Sequence, residues 1–383
     1  MDPLMSEDEL MIQSTVREFA DRDLKPRARE SDEKEEFCWE SWKGMSDLGL
    51  SGIGIDPAFG GGGGTHRQMV VAIEEVSRGD ASAAVSLIAH RCLGLQTIYQ
   101  FGSEEQKSRY VPLAAKGEQI MAWALTEPGS GSDAAALQTS AVRRNDSYYL
   151  NGTKVFTTNG DIADGIVVFA SHDRELKHRG ISAFIVDRST SGLRINKQHG
   201  KMGMRGSTTA EISFENAKIP VENLIGVEGS GFSYAMDILD SSRIVIAAQC
   251  VGIAQAAFES AVRYAQQRQT FGRPISDHQA IQFALADMAT DIFASRSMTL
   301  LAATLEDQGS PYLEEAAMAK LYASEACFRV ATKAVQIHGG YGYFKESDVE
   351  RYFRDARVTS IYEGTSEVQR IVIGRQVVER YRV

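Results

Sequence analysis

Three short segments hold residue types that do chemistry when they are brought together. Leu125-Thr126-Glu127-Pro128-Gly129-Ser130-Gly131-Ser132-Asp133 is rich in glycine and hydroxyls. Its glycines let backbone N–H groups come close to a ligand and its hydroxyls donate to anionic oxygens, although a surface turn between domains uses the same residues. Lys154-Val155-Phe156-Thr157-Thr158-Asn159-Gly160 puts an aromatic ring ahead of hydroxyls at a strand end. That pattern can stack on and bond to a flat heterocycle, and it equally describes a plain strand and turn. Ile361-Tyr362-Glu363-Gly364-Thr365-Ser366-Glu367 sets a carboxylate beside a glycine, between an aromatic and hydroxyls. In a dry pocket the charged form of Glu363 is disfavoured, which raises its pKa and suits it to proton abstraction. Thr365 or Ser366 also fits the N-cap of a helix over 367–380, and the two readings are compatible because Glu363 precedes the cap.

The elements that must position these segments change character twice along the chain. Residues 1–118 read as helical: Ile12, Val16, Phe19 and Ala20 recur at helical spacing, and further helices are expected over Met69 to Arg78 and Ala81 to Phe101. Asp56-Pro57-Ala58-Phe59 and the glycines 60–64 interrupt them. No Lys-Ser or Lys-Thr follows that glycine run, so it reads as a connecting loop and not as a phosphate cradle. Residues 119–230 read as a β-domain, with strands over Ile166 to Phe169, Ile181 to Val186 and Glu211 to Phe214. A hairpin is expected between 148–150 and 154–156 around the turn Asn151-Gly152-Thr153. Residues 231–383 return to helix. One apolar stripe runs through Ile246, Cys250, Ile253, Ala257 and Ala261. Another, through Met318, Leu321 and Phe328, marks a helix over 314–337 that stops at Gly339-Gly340. The expected fold class is α+β, mainly α.

Composition narrows the function. The 383 residues are 43% hydrophobic and 24% charged, which suits a globular protein of two or three subdomains. A formal net charge of −10 argues against a nucleic-acid backbone as partner. Cys38, Cys92, Cys250 and Cys327 form no CxxC pair and read as small buried hydrophobes in a reducing compartment. The acidic start of the chain resembles neither a secretory signal nor an Arg-rich presequence, and no run of about 18 uninterrupted apolar residues predicts a membrane span. The expected location is cytoplasmic.

In chain order, the three segments resemble those of the acyl-CoA dehydrogenase family. So do Arg268-Gln269-Thr270-Phe271-Gly272, His278-Gln279, Gln336-Ile337-His338-Gly339-Gly340 and Arg354-Asp355-Ala356-Arg357. The resemblance covers essentially the whole chain. It implies an N-terminal helical domain, a middle β-barrel-like domain and a C-terminal four-helix bundle, with FAD as cofactor. By resemblance, Trp123, Leu125, Thr126, Gly131 and Ser132 line the flavin ring and its ribityl-phosphate arm, and Phe156 and Thr158 flank the ring. Arg268, Phe271, Gln279, Gln336, Ile337, Gly339 and Gly340 hold the adenine and pyrophosphate end. In this family they serve a neighbouring subunit, which implies a homotetramer built as a dimer of dimers. Thr365, Ser366 and Glu367 match the last cofactor contacts.

Glu363 matches the catalytic base. The implied reaction is α,β-dehydrogenation of an acyl-CoA to the trans-2-enoyl-CoA, with electrons passed to an electron-transfer flavoprotein. In the family, the backbone N–H of this Glu and a flavin ribityl hydroxyl bond the thioester oxygen. Asp240, Arg243, Ser132 and Gly364 match substrate contacts. Some relatives carry the base just before the helix arginine; here Ser242 stands there, which leaves the role to Glu363. The residues from Arg354 to Glu367, with Glu315-Ala316-Ala317-Met318-Ala319-Lys320-Leu321, point to the short-chain (butyryl-CoA) branch. Ala84 stands where glutaryl-type relatives carry a carboxylate-binding arginine. His90 and Arg91 are unusual beside an apolar acyl chain and are expected to face solvent or a subunit contact. Alternative readings are a polar, branched or cyclic acyl-CoA as substrate, an O2-using acyl-CoA oxidase, and a non-catalytic flavin-binding protein. The lack of a long C-terminal extension disfavours the oxidase, and the retention of Glu363 and the cofactor segments disfavours the last.

Overall fold

The structure, a computed structural model, describes residues 4–382. The N-terminal third holds α1 (Glu7–Phe19), α2 (Lys25–Lys34), α3 (Trp39–Asp47), α4 (His66–Gly79), α5 (Ala81–Ile88), α6 (Gln96–Phe101) and α7 (Glu104–Ala115). Three of these helices start at capping boxes: Ser6 with Glu9, Thr65 with Gln68, and Ser103 with Gln106. The helix expected over Ala81 to Phe101 is α5 and α6 joined by a π-helical turn, Ala89–Leu95. The glycine run 60–64 lies in the loop before α4.

The middle of the chain forms one eight-stranded sheet from β1 (Met121–Ala124), β2 (Ser140–Arg144), β3 (Ser147–Thr158), β4 (Gly165–Ser171), β5 (Ile181–Asp187), β6 (Leu193–Lys197), β7 (Thr209–Pro220) and β8 (Leu224–Ile225). The order is β6-β7-β3-β2-β4-β5-β8, with β1 parallel to β4. Every residue of β4 is buried, because both faces are covered. Ile166 and Val168 face the main core, while Val167 and Phe169 join a second cluster with Leu95, Ile98 and Val111. The hairpin expected at Asn151-Gly152 is absent. Both arms belong to the single strand β3, and the chain reverses earlier, between Arg144 and Ser147. Gly152 marks a bulge against β7, where a Cβ would come within 2.5 Å of the Thr139 hydroxyl. It therefore serves close approach of backbone and not a turn.

The C-terminal part holds α8 (Gly231–Gln267), a small hairpin of β9 (Gln269–Thr270) and β10 (Arg273–Pro274), then α9 (Gln279–Asp307), α10 (Leu313–His338), α11 (Val349–Val358) and α12 (Ser366–Arg380). The α8 stripe through Ile246, Cys250, Ile253, Ala257 and Ala261 is buried, and α8 packs on α4, α9 and α10. By length and mean hydropathy alone α8 could cross a bilayer. However, 78% of its apolar window is buried inside the protein, as in a core helix. In α10 the fully buried face is Ala316, Ala319, Ala323, Cys327 and Val330, while Met318, Leu321 and Phe328 are only half-buried. Gly339 ends this helix with φ +58. All four cysteines are free; Cys92, Cys250 and Cys327 are buried and Cys38 is partly exposed.

Candidate active site

The structure joins the first two chemistry-bearing segments directly. The N–H of Val155 donates to the Thr126 carbonyl at 2.9 Å, and Lys154 Nζ donates to the Leu125 carbonyl at 3.0 Å. Lys154 Nζ also pairs with Glu127 Oε1 at 2.7 Å, both groups being buried. Burial lowers the Lys154 pKa to about 8, against the pull of the Glu127 carboxylate. Glu127 further accepts the N–H groups of Gln138 and Thr139, at 2.5 and 2.9 Å. Reading the sequence did not single out this ion pair as a clamp, although Glu127 and Lys154 both lay inside segments of interest. Around the clamp, Trp123 stacks edge-on to Phe169 with a ring separation of 4.9 Å, and its buried Nε1 has no partner. Gly131 and Ser132 are exposed, Thr126 and Thr158 half-buried, and the Phe156 ring points largely to solvent.

Glu363 sits in the loop between α11 and α12, in left-handed backbone at φ +51, followed by Gly364 at φ +88. Part of the residue remains accessible, but its carboxyl is packed deeply enough that burial raises its pKa. A hydrogen bond from Ser242 and the charges of Lys320 and Arg243 oppose that rise. Ser242 Oγ, on α8, donates to Glu363 Oε2 at 2.8 Å. Lys320 Nζ, on α10, donates to the Gly364 carbonyl at 2.7 Å, and Gln369 Nε2, on α12, donates to the carbonyls of Glu363 and Gly364 at 3.2 and 3.0 Å. Gly364 takes a φ of +88 that favours glycine, and a Cβ there would come 2.6 Å from the end of the Gln369 side chain. Tyr362 donates its hydroxyl to Gln249 Oε1. Thr365 caps α12, its hydroxyl accepting from the Val368 N–H at 3.3 Å, whereas the buried Ser366 Oγ has no partner and Glu367 is exposed.

Arg243 is buried one residue beyond Ser242. Its Nη1 lies 2.6 Å from Asp240 Oδ1, but misaligned, so that Nε and Nη1 make no hydrogen bond. Gln249 and Gln369 carry no recognisable motif, and Lys320 lies in the 315–321 segment that pointed to the short-chain branch, without a role of its own.

The remaining candidates gather elsewhere. Arg268 follows α8, with its guanidinium 5.8 Å from the Tyr341 ring, which brings 268–279 beside 336–340. Phe271 is 96% exposed, with φ +50; Gln279, Gln336, Gly339 and Gly340 are also exposed. The Ile337 side chain is buried in the chain's own core, which leaves only its backbone for other contacts. Three of the nine non-glycine residues with positive φ among those described, Phe156, Phe271 and Glu363, are candidates from all three groups. Such backbone costs about 1–3 kcal/mol and concentrates at functional sites.

The expectation that His90 and Arg91 face outward is overturned, since both are buried. His90 Nδ1 accepts the Met121 N–H at 3.0 Å and Nε2 lies 3.0 Å from the Ala114 carbonyl. The ring, its pKa pushed down to about 3 by burial, thus links the π turn to β1 as a neutral group.

A half-accessible carboxyl whose pKa burial raises, anchored by Ser242 and facing the charges of Lys320 and Arg243, is suited to taking a proton from a bound molecule. The chain matches three family descriptions in succession: acyl-CoA dehydrogenase N-terminal domain over residues 6–118, middle domain over 122–217 and C-terminal domain over 229–378. It is 45% identical over 377 residues to the short-chain specific acyl-CoA dehydrogenase of Clostridium acetobutylicum, covering 98% of this chain and 100% of that one. Among solved structures, butyryl-CoA dehydrogenase from Megasphaera elsdenii superposes with a TM-score of 0.96 at 40% identity, covering 99% of this chain and 100% of that one. A chain of a structure described as the electron transferring flavoprotein of Acidaminococcus fermentans also superposes at 0.96, with 45% identity and coverage of 99% and 100%. The chain belongs to the acyl-CoA dehydrogenase family and is an oxidoreductase.

Proposed function

We propose that this protein is an FAD-dependent acyl-CoA dehydrogenase that converts a short acyl-CoA to its trans-2-enoyl-CoA, with Glu363 as the base. The observation that carries this reading is the Glu363 carboxyl itself, desolvated, anchored by Ser242 and framed by Lys320 and Arg243. The residues fit FAD. Trp123 Nε1 and Ser366 Oγ are buried donors without partners, and Phe156 and Phe271 hold exposed rings on left-handed backbone. Trp123, Leu125, Thr126, Gly131, Ser132, Phe156 and Thr158 would hold the flavin ring and its arm, with Thr365, Ser366 and Glu367 beyond them. When bound, FAD supplies the two-electron acceptor for the β hydrogen.

The chain's own residues do the rest. Glu363 removes the α proton of the thioester, and its raised pKa brings its basicity closer to the task. The Glu363 backbone N–H is oriented by the loop that Lys320 and Gln369 fix, and there it donates to the thioester oxygen as negative charge develops. Asp240 and Arg243 sit roughly two and a half and three and a half turns along α8, where the CoA portion would pass. Domains 1–118, 119–230 and 231–383 divide the work among entry helices, cofactor platform and base. The exposed 268–279 and 336–340 cluster suits a homotetramer in which each subunit completes its neighbour's site. An electron-transfer flavoprotein as acceptor and a cytoplasmic location complete the reading.

The test is anaerobic flavin bleaching by butyryl-CoA in wild type and Glu363→Gln. Wild type should bleach without forming peroxide on re-aeration, and the variant should keep its FAD yet bleach about a thousandfold more slowly. Bleaching of the variant at the wild-type rate would remove Glu363 from the mechanism.

A further inference from the structure

A cavity of about 250 Å³, lined in part by the α8 residue that precedes Ser242, is used by nothing described so far. It is lined by His66, Arg91, Cys92, Gln96, Ser241 and Glu306 among others. Two elements tie it to Glu363. Ser241 immediately precedes the serine that bonds the carboxylate, and the Cys92 thiol feels the charges of both Glu363 and Glu306. A chamber beside the α,β-carbon site of a short-chain enzyme should be apolar, and this one is built of charge and hydrogen-bonding groups.

Arg91 is its least compensated member. Four arginines among the described residues are buried. Arg78 pairs with Glu75, Arg243 with Asp240 and Arg351 with Asp348. Arg91 has no carboxylate within ion-pair distance among the described residues. Its Nε donates to the Ile53 carbonyl at 2.5 Å and its Nη1 to Gln96 Oε1 at 2.7 Å, both neutral acceptors. Gly54 makes room for it: a Cβ there would come 2.8 Å from Arg91 Nη2. The π turn Ala89–Leu95 carries Arg91, and such turns re-aim side chains at sites of function. A buried cation without a counter-charge is strongly unfavourable unless something else supplies one.

The acids of the cavity do not supply it. The Asp307 carboxylate is held by the N–H groups of His66 and Arg67, at 2.7 and 3.0 Å, at the start of α4. Glu306 lies 3.1 Å from His66 Nδ1, misaligned for a hydrogen bond. Burial and the neighbouring Asp307 charge push its pKa up to about 7, against a bond from Ser241, so it readily takes a proton. His66 Nε2 is buried with no partner.

We propose that the cavity receives the far end of the acyl chain, that Arg91 binds a carboxylate there, and that the substrate is the monothioester of a short dicarboxylic acid and not a plain alkyl acyl-CoA. The inference rests on the reading of Glu363 as base. It is distinct from the glutaryl-type arrangement, whose arginine position is Ala84 here. A carboxylate matches the planar fork of a guanidinium, which no hydroxyl or methyl does.

The experiment compares holoenzyme kcat/KM, by flavin bleaching, on pairs matched in chain length: butyryl- and succinyl-CoA, valeryl- and glutaryl-CoA, hexanoyl- and adipyl-CoA, with 4-hydroxybutyryl-CoA added. Calorimetry on Glu363→Gln gives the dissociation constant of each without turnover. The expected result is that at least one carboxyacyl-CoA exceeds its alkyl partner tenfold or more by both measures. In Arg91→Met that ratio should fall below one, and Arg91→Lys should lie between. Equal or better use of the alkyl partners, a ratio untouched by Arg91→Met, or preference for the hydroxyacyl-CoA over every carboxyacyl-CoA would overturn the inference. If Arg91→Met does not fold, the wild-type ratios and the calorimetry decide. Failure of every acyl-CoA to bleach the flavin would overturn the dehydrogenase reading as well. Tight carboxyacyl binding together with full bleaching by Glu363→Gln would remove only the base and leave the cavity assignment supported.

Discussion

Around Glu363 three helices of the chain supply polar contacts, whereas the Phe271 ring at the tip of the β9–β10 hairpin stands almost bare. Ser242, Lys320 and Gln369 come from three helices to fix one carboxylate and the two carbonyls of its loop. Phe271 is 96% exposed, with only His278 near its ring at 6.0 Å, and Tyr341, Tyr343 and Phe344 stand exposed close by in sequence to Gly339-Gly340. Both residues hold left-handed backbone. At Glu363 that conformation is held by hydrogen bonds from three helices; at Phe271 it belongs to the two-residue turn, with Gly272 at φ +78, that joins β9 to β10 and leaves the ring uncovered. On the proposed reading, the anchored carboxylate is a site the chain completes alone, and the uncovered ring is one that cofactor or a second copy covers.

The comparison breaks most sharply with paired variants. Glu363→Gln should cost about a thousandfold in bleaching rate while FAD content and sedimentation stay as in wild type. Phe271→Asp should do the reverse: FAD retention on gel filtration drops by about tenfold or more and the assembly shifts to smaller species, since burying an unpaired charge in an interface costs several kcal/mol. The enzyme that keeps its flavin should bleach at close to the wild-type rate. If Phe271→Asp changed neither assembly nor FAD retention, the contrast between a self-sufficient and a shared region would fail.

A smaller effect tests the internal support. The Ser242 hydrogen bond lowers the Glu363 pKa against burial, so Ser242→Ala should raise it further. A base with a higher pKa is protonated over more of the acid range, so the acid limb of the bleaching rate should move to higher pH. A hydrogen bond to a charged group is worth roughly 1.5–3 kcal/mol, and the limb should therefore shift by about one unit or more. Ser242→Thr, which keeps the hydroxyl, should restore the wild-type limb. A limb that stayed in place in Ser242→Ala would show that the bond does not act on the reacting carboxylate.

How much of this was legible in the sequence differs between the same two regions. The helices, the strands at 166–169, 181–186 and 211–214, and the three chemistry-bearing segments lie where period and residue type put them. Gly152 misled because Asn-Gly signals a hairpin by local preference, while the constraint that won was non-local, the approach of Thr139. Arg91 misled for a related reason. A charged residue is placed at the surface by default, and only a π turn, a loop glycine and a cavity from distant parts of the chain make an interior place for it. Around Glu363 the residue itself was readable from its neighbours. Its anchors on α8 and α10, Ser242 and Lys320, are 121 and 43 positions away; both lay in segments the sequence singled out, but nothing local says that they meet Glu363.

The smallest expected effect concerns stability. Asp355, on α11 ahead of the Glu363 loop, accepts the Met204 N–H at 2.6 Å in left-handed backbone. Burial pushes its pKa up to about 7, more than the Met204 bond and the Arg351 charge pull it down. Its unfolded value is near about 3.9. Between these values the folded state holds a proton that the unfolded state has lost, so this carboxyl makes the protein less stable as pH rises from about 4 to about 7, and the loss is complete above that. Asp355→Asn keeps an acceptor for Met204 and removes the titration. Its melting temperature relative to wild type should therefore be more favourable at pH 8 than at pH 5, by roughly 1 °C for each kcal/mol involved. The same difference at both pH values would mean that Asp355 is ionised in the folded protein throughout, and the support beneath the base would then be an ion pair with Arg351 instead of a buried acid.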